Sequence, residues 1–486
     1  MKRQIRNTGN GVMMSVSRKT AAIWLASLLL CLPGLVLPVD AQTTLGARRA
    51  ERLQKEKQAR GRKIAPDLAD QLARTEGKIR PVDLRYPVII QPGPTQTRAD
   101  LANRLARAGG RITSDFAAFH LVSAELPLWR VRELAATGLA YVAPDREVRS
   151  FAGGPGYVDT QTGQADMARL SAAQKLTLAE GLGQNIAVLD SGVWAEHHGI
   201  KDRLHVSLDF TGEGLVKLDP FGHGTHVASL AAGNPHVSKG AYAGIASGAK
   251  IISLRVLNSE GTGRVSWVLN ALQWVRANAA AAKIRVVNLS LGAPAVESYR
   301  DDPMCRAVRG LVDAGLVVVA AAGNEGKDAA GRKQYGAINS PAHEPAALTV
   351  GAANDFGTIS RVDDGVATYS SRGPTRGFRT DENGEKQYDN LIKPDLVATG
   401  NRLLAAESDK NYLLRQYPFL EGGVSSKIPH KYMRLSGSSM ATPIVSGAVA
   451  LILQTNPKLT PNLVKAILMY TAQPLRGYNM FEQGAG

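Results

Sequence analysis

The feature that most constrains the fold is an alternation of short apolar runs with helical patterns between residues 157 and 486. The runs are rich in Val and Ile and lack polar alternation, which is typical of strands buried on both faces. The predicted strands are Asn185–Asp190, Lys250–Leu257, Arg285–Gly292, Leu316–Asn324 and Ala347–Asn354. The predicted helices are His223–Ala232, Ser266–Ala280, Pro303–Ala314, Ala441–Gln454 and Pro461–Ala472. This alternation predicts an α/β domain in which a parallel sheet is flanked by helices and ligands bind beyond the carboxyl ends of the strands.

A smaller domain is predicted over residues 84–150. A strand-like run at Tyr86–Gln91 is followed by a helical pattern, two strands, a second helical pattern and a strand at Leu139–Ala143. The order β-α-β-β-α-β indicates a small α+β, ferredoxin-like domain. Because this fold specifies no function, its position ahead of the large domain is the more informative observation.

The N-terminus has the layout of a secretory signal peptide over residues 1–41. A basic segment is followed by the uncharged run Ala21–Leu32 and by a small-residue cleavage site at Val39-Asp40-Ala41. The apolar run is shorter than the ~20 residues that span a bilayer, so no stable membrane insertion is expected after cleavage; an uncleaved anchor is the alternative. Residues 42–83 are charged and are interpreted as a linker. The expected location is secreted or periplasmic.

The formal net charge of +16 is concentrated at the front of the chain. Residues 1–80 hold 16 Lys and Arg against 6 Asp and Glu, whereas residues 157–486 hold 33 against 29. No nucleic-acid partner is therefore predicted for the large domain. The two cysteines, Cys31 and Cys305, exclude a framework of several disulfides.

Three polar residues stand where predicted strands end or helices begin. Asp190 closes a strand, His223 starts a helix and Ser439 lies at or just before a helix N-terminus. Taken singly, they could be a turn-forming carboxylate, a packed or metal-binding histidine and a capping serine. Together they supply the carboxylate, base and hydroxyl that hydrolysis by serine needs. The side chain of Asn324 and the backbone N–H of Ser439 could hold the oxyanion.

At these motifs the chain resembles the subtilase family of serine peptidases. The segments Asp-Ser-Gly at 190–192, His-Gly-Thr-His-Val-Ala at 223–228 and Gly-Ser-Ser-Met-Ala-Thr-Pro at 437–443 occur in the family's order, with Ala-Gly-Asn at 322–324 between the last two. The resemblance implies a subtilisin-like fold over residues 157–486 and a secreted endopeptidase. It also implies that Asp190, His223 and Ser439 form the triad and that Asn324 donates to the oxyanion.

The resemblance further implies where a peptide substrate binds. Two segments match the family's substrate-pairing edges, against which an extended peptide would add as a strand. These segments are Gly261, Thr262 and Gly263 on one side and Ser290, Leu291 and Gly292 on the other. Asn339 falls at the base of the primary specificity pocket, where many members have glycine. Residues 376–390 and 405–431 are expected to be inserted surface loops.

The same resemblance makes the small domain an inhibitor-type propeptide, cut by the enzyme itself within Asp145–Tyr157; a permanently attached accessory domain is the alternative. The implied partners are polypeptide substrates and the chain's own propeptide. No metal ligand is assigned, because residues 233–240 do not match the family's calcium loop, although a structural calcium ion is compatible with the family. In family members a segment follows a Gly-Ala-Gly similar to residues 484–486, so a C-terminal truncation is one interpretation.

Two other functions are compatible with parts of the pattern. A catalytically silent subtilase fold used for binding should have lost a triad residue, and none is missing. A lipase or esterase places serine in Gly-x-Ser-x-Gly, with the chain order Ser, acid, His. The order here is Asp, His, Ser, which favours the peptidase.

Overall fold

The computed structural model describes residues 63–75, 85–136, 139, 141–151, 179–238, 241–358 and 360–486. The predicted signal peptide, residues 1–41, lies outside these residues, as does most of the predicted linker. Residues 152–157, the second half of the range expected to be cut, also lie outside them.

The small domain is a four-stranded antiparallel sheet with helices on one face. Its helices are α1 (Pro66–Arg74), α2 (Arg98–Arg107) and α3 (Val131–Ala135). Its strands are β1 (Arg85–Gln91), β2 (Arg111–Phe116), β3 (Leu121–Pro127) and β4 (Tyr141–Pro144), in the spatial order β2-β3-β1-β4. The order from β1 to β4 is the predicted β-α-β-β-α-β arrangement, and Leu101, Leu105, Val131 and Leu134 are buried against the sheet.

Helix α1 lies within the predicted charged linker, residues 42–83, but it belongs to the core of the small domain. Its Leu68 and Leu72 are buried in the same cluster as the inner face of the sheet. The chain just before it is held to β4, because Ala65 N–H donates to the Val142 carbonyl at 2.8 Å. The segment was interpreted as a linker because it is highly charged. Leu68 and Leu72 are nevertheless spaced i, i+4, which is enough to attach one face of a short helix to a core.

The large domain is built on a mostly parallel sheet, which confirms the predicted α/β class. Its strands are β6 (Asn185–Asp190), β7 (Leu204–Asp209), β8 (Lys250–Arg255), β10 (Ile284–Leu289), β12 (Val317–Ala321), β13 (Leu348–Asn354), β14 (Gly365–Val366) and β17 (Leu396–Thr399). The spatial order is β14-β13-β12-β10-β6-β8-β7, with β17 also paired to β13. β7, β14 and β17 were not predicted.

Helices cover both faces of this sheet. They are α4 (His223–Ala232), α5 (Val265–Asn278), α6 (Pro303–Asp313), α7 (Tyr412–Gln416), α8 (Ser438–Thr455), α9 (Pro461–Thr471) and α10 (Met480–Gln483). Along β6, Ile186 and Val188 pack with α4 and α8, whereas Ala187 and Leu189 pack with α5 and α6. Burial on both faces explains why the strand shows no polar alternation. Within the described ranges, α8 is the one helix long and apolar enough to cross a membrane, and 72% of it is buried inside the fold.

Short strands complete the structure. They are β5 (Glu147–Ser150), β9 (Thr262–Arg264), β11 (Leu291–Gly292), the pair β15 (Phe378–Thr380) and β16 (Lys386–Tyr388), and the pair β18 (Leu403–Ala406) and β19 (Tyr432–Leu435). The predicted insertion at 376–390 contains the β15–β16 hairpin. The one at 405–431 is not merely a surface loop, because Leu413 and Leu420 are buried in the large-domain core.

The outer face of the small-domain sheet packs on α5 and α6. Ile89, Phe116 and Leu121 belong to the same buried cluster as these two helices. Gln273 of α5 also donates from Nε2 to the Asp115 carbonyl at 3.0 Å. This contact places the end of the small domain, and with it β5, at the carboxyl edge of the large sheet.

Candidate active site

The predicted polar residues stand at one edge of the large sheet. Asp190 is the last residue of β6, and Asn324 follows β12. His223 is the first residue of α4 and Ser439 is the second residue of α8. The two helices pack against each other. Carboxyl ends of parallel strands and the helices that follow them meet at the same edge, which is why residues so distant in sequence lie together.

Asp190 and His223 form a buried pair. Asp190 Oδ1 lies 2.7 Å from His223 Nδ1, and the side chains are 1% and 0% exposed. The same carboxylate oxygen accepts from Ser191 N–H at 2.7 Å. The carboxylate therefore fixes the ring and favours the tautomer protonated at Nδ1.

Asp219 is a buried carboxylate that the sequence analysis missed. Its Oδ1 accepts from Ser191 Oγ at 2.7 Å and from Gly222 N–H at 2.8 Å, and its Oδ2 accepts from Thr225 N–H at 2.7 Å. Burial raises the pKa of Asp219. One side chain thus connects the residue after Asp190 to the first turn of the helix that carries His223. An acidic residue shortly before a helix start is the signal that could have identified it.

The hydroxyl of Ser439 is not bonded to His223. Ser439 Oγ donates to the Ser290 carbonyl at 2.9 Å and accepts from Phe151 N–H at 3.2 Å. His223 Nε2 is buried and has no hydrogen-bond partner among the described residues. The structure therefore unites Asp190 with His223, but it does not form the predicted bond between His223 and Ser439.

Asn324 faces a peptide carbonyl. Its Nδ2 donates to the Phe151 carbonyl oxygen at 2.7 Å, while its Oδ1 accepts from Ser438 N–H at 2.9 Å. Because Oδ1 is held by a backbone donor, the amide can only present Nδ2 to the carbonyl. Gly437 allows the approach, since a Cβ there would lie 2.2 Å from the Phe151 oxygen.

Both predicted substrate edges pair with β5, the end of the small domain. Strands β11, β5 and β9 form an antiparallel sheet with β5 in the middle. Arg149 aligns with Thr262 on one side and with Gly292 on the other, and Ser150 aligns with Leu291. The Ser150 N–H also donates to the Gly261 carbonyl at 3.3 Å. A segment of the chain itself thus lies where an extended peptide was expected.

The ring of Phe151 lies over Gly292. A Cβ at Gly292 would be 2.6 Å from Phe151 Cζ, so a larger residue there would collide with the ring. Asn339 donates from Nδ2 to Glu325 Oε2 at 2.8 Å, and the same oxygen accepts from Asn324 N–H at 3.0 Å. Glu325, which the sequence analysis did not select, therefore links Asn339 to the residue that faces the carbonyl.

His226 has a structural position. Its Nε2 donates to the carbonyls of Leu403 and Met433, at 3.0 and 3.2 Å. Burial lowers its pKa to about 3, so the ring is neutral.

One group of three possible metal ligands occurs in the described part of the chain: Asp302, Cys305 and His343, all buried. Cys305 Sγ lies 3.5 Å from His343 Nδ1 and 3.7 Å from Nε2. A sulfur nearly equidistant from both nitrogens lies over the face of the ring, where neither lone pair points. Burial and the nearby carboxylates also raise the pKa of the Cys305 thiol. We assign no metal to these residues.

Comparison with known proteins agrees with the fold and identifies the family. The subtilase family model matches residues 181–486. The chain is 34% identical to serine protease AprX of Bacillus subtilis over 67% of each chain. It is 30% identical to the extracellular serine proteinase of Thermus sp. strain Rt41A, over 80% of this chain and 79% of the relative. The chain therefore belongs to the subtilase family, whose members are serine peptidases.

A solved structure supports the fold alone. Fervidolysin from Fervidobacterium pennivorans, described as a keratinolytic enzyme related to subtilisin, superposes with a TM-score of 0.62 at 20% identity. The match covers 83% of this chain and 60% of fervidolysin.

Proposed function

We propose that this chain is the precursor of an exported subtilisin-like endopeptidase that cuts itself between Phe151 and Ala152. The position of Phe151 carries the proposal. Its carbonyl oxygen lies 2.7 Å from Asn324 Nδ2, and its N–H lies 3.2 Å from Ser439 Oγ. A peptide carbonyl thus lies between a candidate nucleophile and a candidate oxyanion donor. The bond that follows Phe151 falls within the range 145–157 expected for maturation.

In the proposed reaction, His223 Nε2 takes the proton of Ser439 Oγ, and Oγ attacks the Phe151 carbonyl carbon. The hydroxyl first exchanges its bond to the Ser290 carbonyl for one to Nε2. Asp190 keeps the proton on Nδ1 and stabilises the imidazolium. Asn324 and the Ser439 N–H hold the oxyanion. The imidazolium then protonates the departing amine of Ala152, and water, deprotonated by the same base, releases the acyl-enzyme.

The two substrate edges are proposed to bind the main chain of a substrate as they bind β5. Residues 261–263 and 290–292 would pair with the main chain of any extended peptide. Selectivity among substrates therefore depends on those substrate side chains that become buried in the cleft. Val148 is fully buried and packs in the cluster that contains Leu257 and Val265. Phe151 is 7% exposed. We therefore expect a preference for a large apolar residue before the scissile bond and an aliphatic residue three positions earlier, with Asn339 closing the end of the pocket.

The small domain is proposed to act as an inhibitory propeptide. Strand β5 occupies both edges, so a substrate cannot bind until residues 147–151 leave. Its attachment is supported by Asp145, whose carboxylate accepts from Ser266 N–H at 2.8 Å and from Ser266 Oγ at 2.7 Å at the start of α5. Export is supported by the pattern of residues 1–41 and by the extracellular relative from Thermus.

A catalytically silent binding protein is the alternative, and one experiment separates the two. Wild type, Ser439→Ala and Ser446→Ala are expressed side by side, and their intact masses are measured. Ser446 is a matched control, because it lies buried on the same helix and its hydroxyl donates to Asn288. We expect a fragment ending at Phe151 in wild type and Ser446→Ala only. A folded wild type that stays intact would favour the silent protein.

A further inference from the structure

Arg146 forms a further contact between the small and large domains, outside the cleft. Its Nε and Nη2 donate to the two carboxylate oxygens of Asp67, at 2.7 and 2.9 Å. Its Nη1 and Nη2 donate to the two oxygens of Glu297, at 2.7 and 2.5 Å. Each nitrogen of the guanidinium therefore has a carboxylate partner. Such forked pairs are the strong, geometrically specific form of an ion pair.

The three residues come from three separate segments. Asp67 lies on α1, Arg146 directly precedes β5, and Glu297 lies in the large domain between β11 and α6. The side chains of Arg146 and Glu297 are 10% and 1% exposed. The pair is therefore almost fully desolvated, which is the condition under which loss of one partner is costly.

Glu297 depends on Arg146 for its charge. Burial raises the pKa of Glu297 to about 7, although Arg146 lowers it and the neighbouring Asp302 and Asp67 raise it further. Without Arg146, the carboxylate would be buried among like charges. The ion pair is fully charged only above that pH, so its effect is best measured under alkaline conditions.

We propose that the Asp67–Arg146–Glu297 cluster, here called the anchor, determines how long the small domain stays bound once the chain is cut behind Phe151. This inference rests on the proposed inhibitory role of that domain. The main-chain bonds of β5 can be replaced by those of any extended peptide, whereas the anchor requires these side chains. Asp67 orients the guanidinium from within the small domain, and the Arg146–Glu297 pair must break on release. Helix α1 is therefore part of the inhibitor.

The test uses the full chain and needs no self-cleavage. In a Ser439→Ala background, a site for an unrelated protease is inserted between residues 152 and 178. After the cut, the dissociation rate of the N-terminal fragment is measured by native mass spectrometry at about pH 8.5, where Glu297 is ionised. The variants are Arg146→Met, Glu297→Gln, the double variant and Asp67→Asn. The matched control is Arg111→Met, which removes an exposed ion pair with Glu125 inside the small domain.

We expect Arg146→Met and Glu297→Gln each to dissociate about 30-fold faster or more, as for a desolvated interfacial ion pair. The double variant should be no faster than the worse single variant, Asp67→Asn should shift the rate in the same direction, and the control should match the parent. Arg146 belongs to the small domain and Glu297 to the large domain. If one of these two variants does not fold, the other still tests the pair. Rates within about threefold of the control, or additive single effects, would overturn the anchor. Since the protein is cut by another protease, this result is independent of whether the wild type cleaves itself.

Discussion

Replacing Asn324 tests the proposed chemical step most sharply. The side chain is 7% exposed and makes two bonds, one to the Phe151 carbonyl and one from Ser438 N–H. In Asn324→Ala the oxyanion loses a desolvated donor, which raises the barrier by about 2.7–4 kcal/mol and slows the reaction ~10²–10³-fold. That range was measured in subtilisin, a member of the same family, so it is not an independent estimate. The Ser438 N–H also loses its acceptor, which should lower the free energy of unfolding by about 1–3 kcal/mol.

The assay is the single self-cleavage turnover. The full chain is diluted out of denaturant at about pH 8, and the fragment ending at Phe151 is followed by mass. The reaction is intramolecular, so its rate does not depend on substrate affinity. Folding is followed in parallel by fluorescence, so that cleavage is compared only after each variant has folded. Asn324→Asp should be slower still, because it places a carboxylate next to the developing negative charge.

Asn401→Ala is the control for that experiment, since it removes a buried asparagine that donates to Asn354 Oδ1 rather than to the substrate carbonyl. It should cleave at close to the wild-type rate. A folded Asn324→Ala protein that cleaves within about threefold of wild type would refute the role of Asn324 as oxyanion donor.

Three further predictions concern buried carboxylates and the thiol. Burial raises the pKa of Glu407 from 4.5 to about 7. The folded state therefore holds a proton that the unfolded state has released, and stability falls as pH rises across that window. Glu407→Gln should make the free energy of unfolding, measured by denaturant titration, depend less steeply on pH. An unchanged pH dependence would contradict this prediction. Asp219→Asn should lower the free energy of unfolding by about 1–3 kcal/mol and slow self-cleavage, because a buried donor loses its acceptor. An unchanged melting temperature and an unchanged self-cleavage rate would contradict this prediction. Cys305 is fully buried with a raised pKa, so peptide mapping should find alkylation only after unfolding, and labelling of the native protein would contradict this.

The strand and the helix that carry Asp190 and His223 could be predicted, because their local sequence patterns match the way they are buried in the fold. The observed limits of β6 and α4 coincide with the predicted strand Asn185–Asp190 and helix His223–Ala232. The strand is an apolar run that ends in an acid, and the helix begins directly after Gly222, so both boundaries can be read from the sequence. Asp190 and His223 therefore fall where the motifs indicated.

What the sequence could not indicate depends on partners distant along the chain. Strand β5 has four residues, one of which is buried, and its partners at 262–264 and 291–292 lie more than 100 residues away. No local pattern reveals such a pairing, so the place of Phe151 emerged only from the structure. The bond of Ser439 Oγ to the Ser290 carbonyl, rather than to His223, is a local contact that no motif encodes.

In the proposed mechanism, Ser439 is a nucleophile activated by His223. Treating the self-processed protein with a fluorophosphonate and mapping its peptides tests this role directly, because such reagents phosphonylate a serine that an adjacent base activates, with loss of fluoride. We expect a single label on Ser439 in wild type. We expect none in a His223→Ala protein that has been cut between residues 152 and 178 by an unrelated protease and freed of its small domain. Labelling that persists in His223→Ala, or a processed and folded wild type that takes up no label on Ser439, would contradict it.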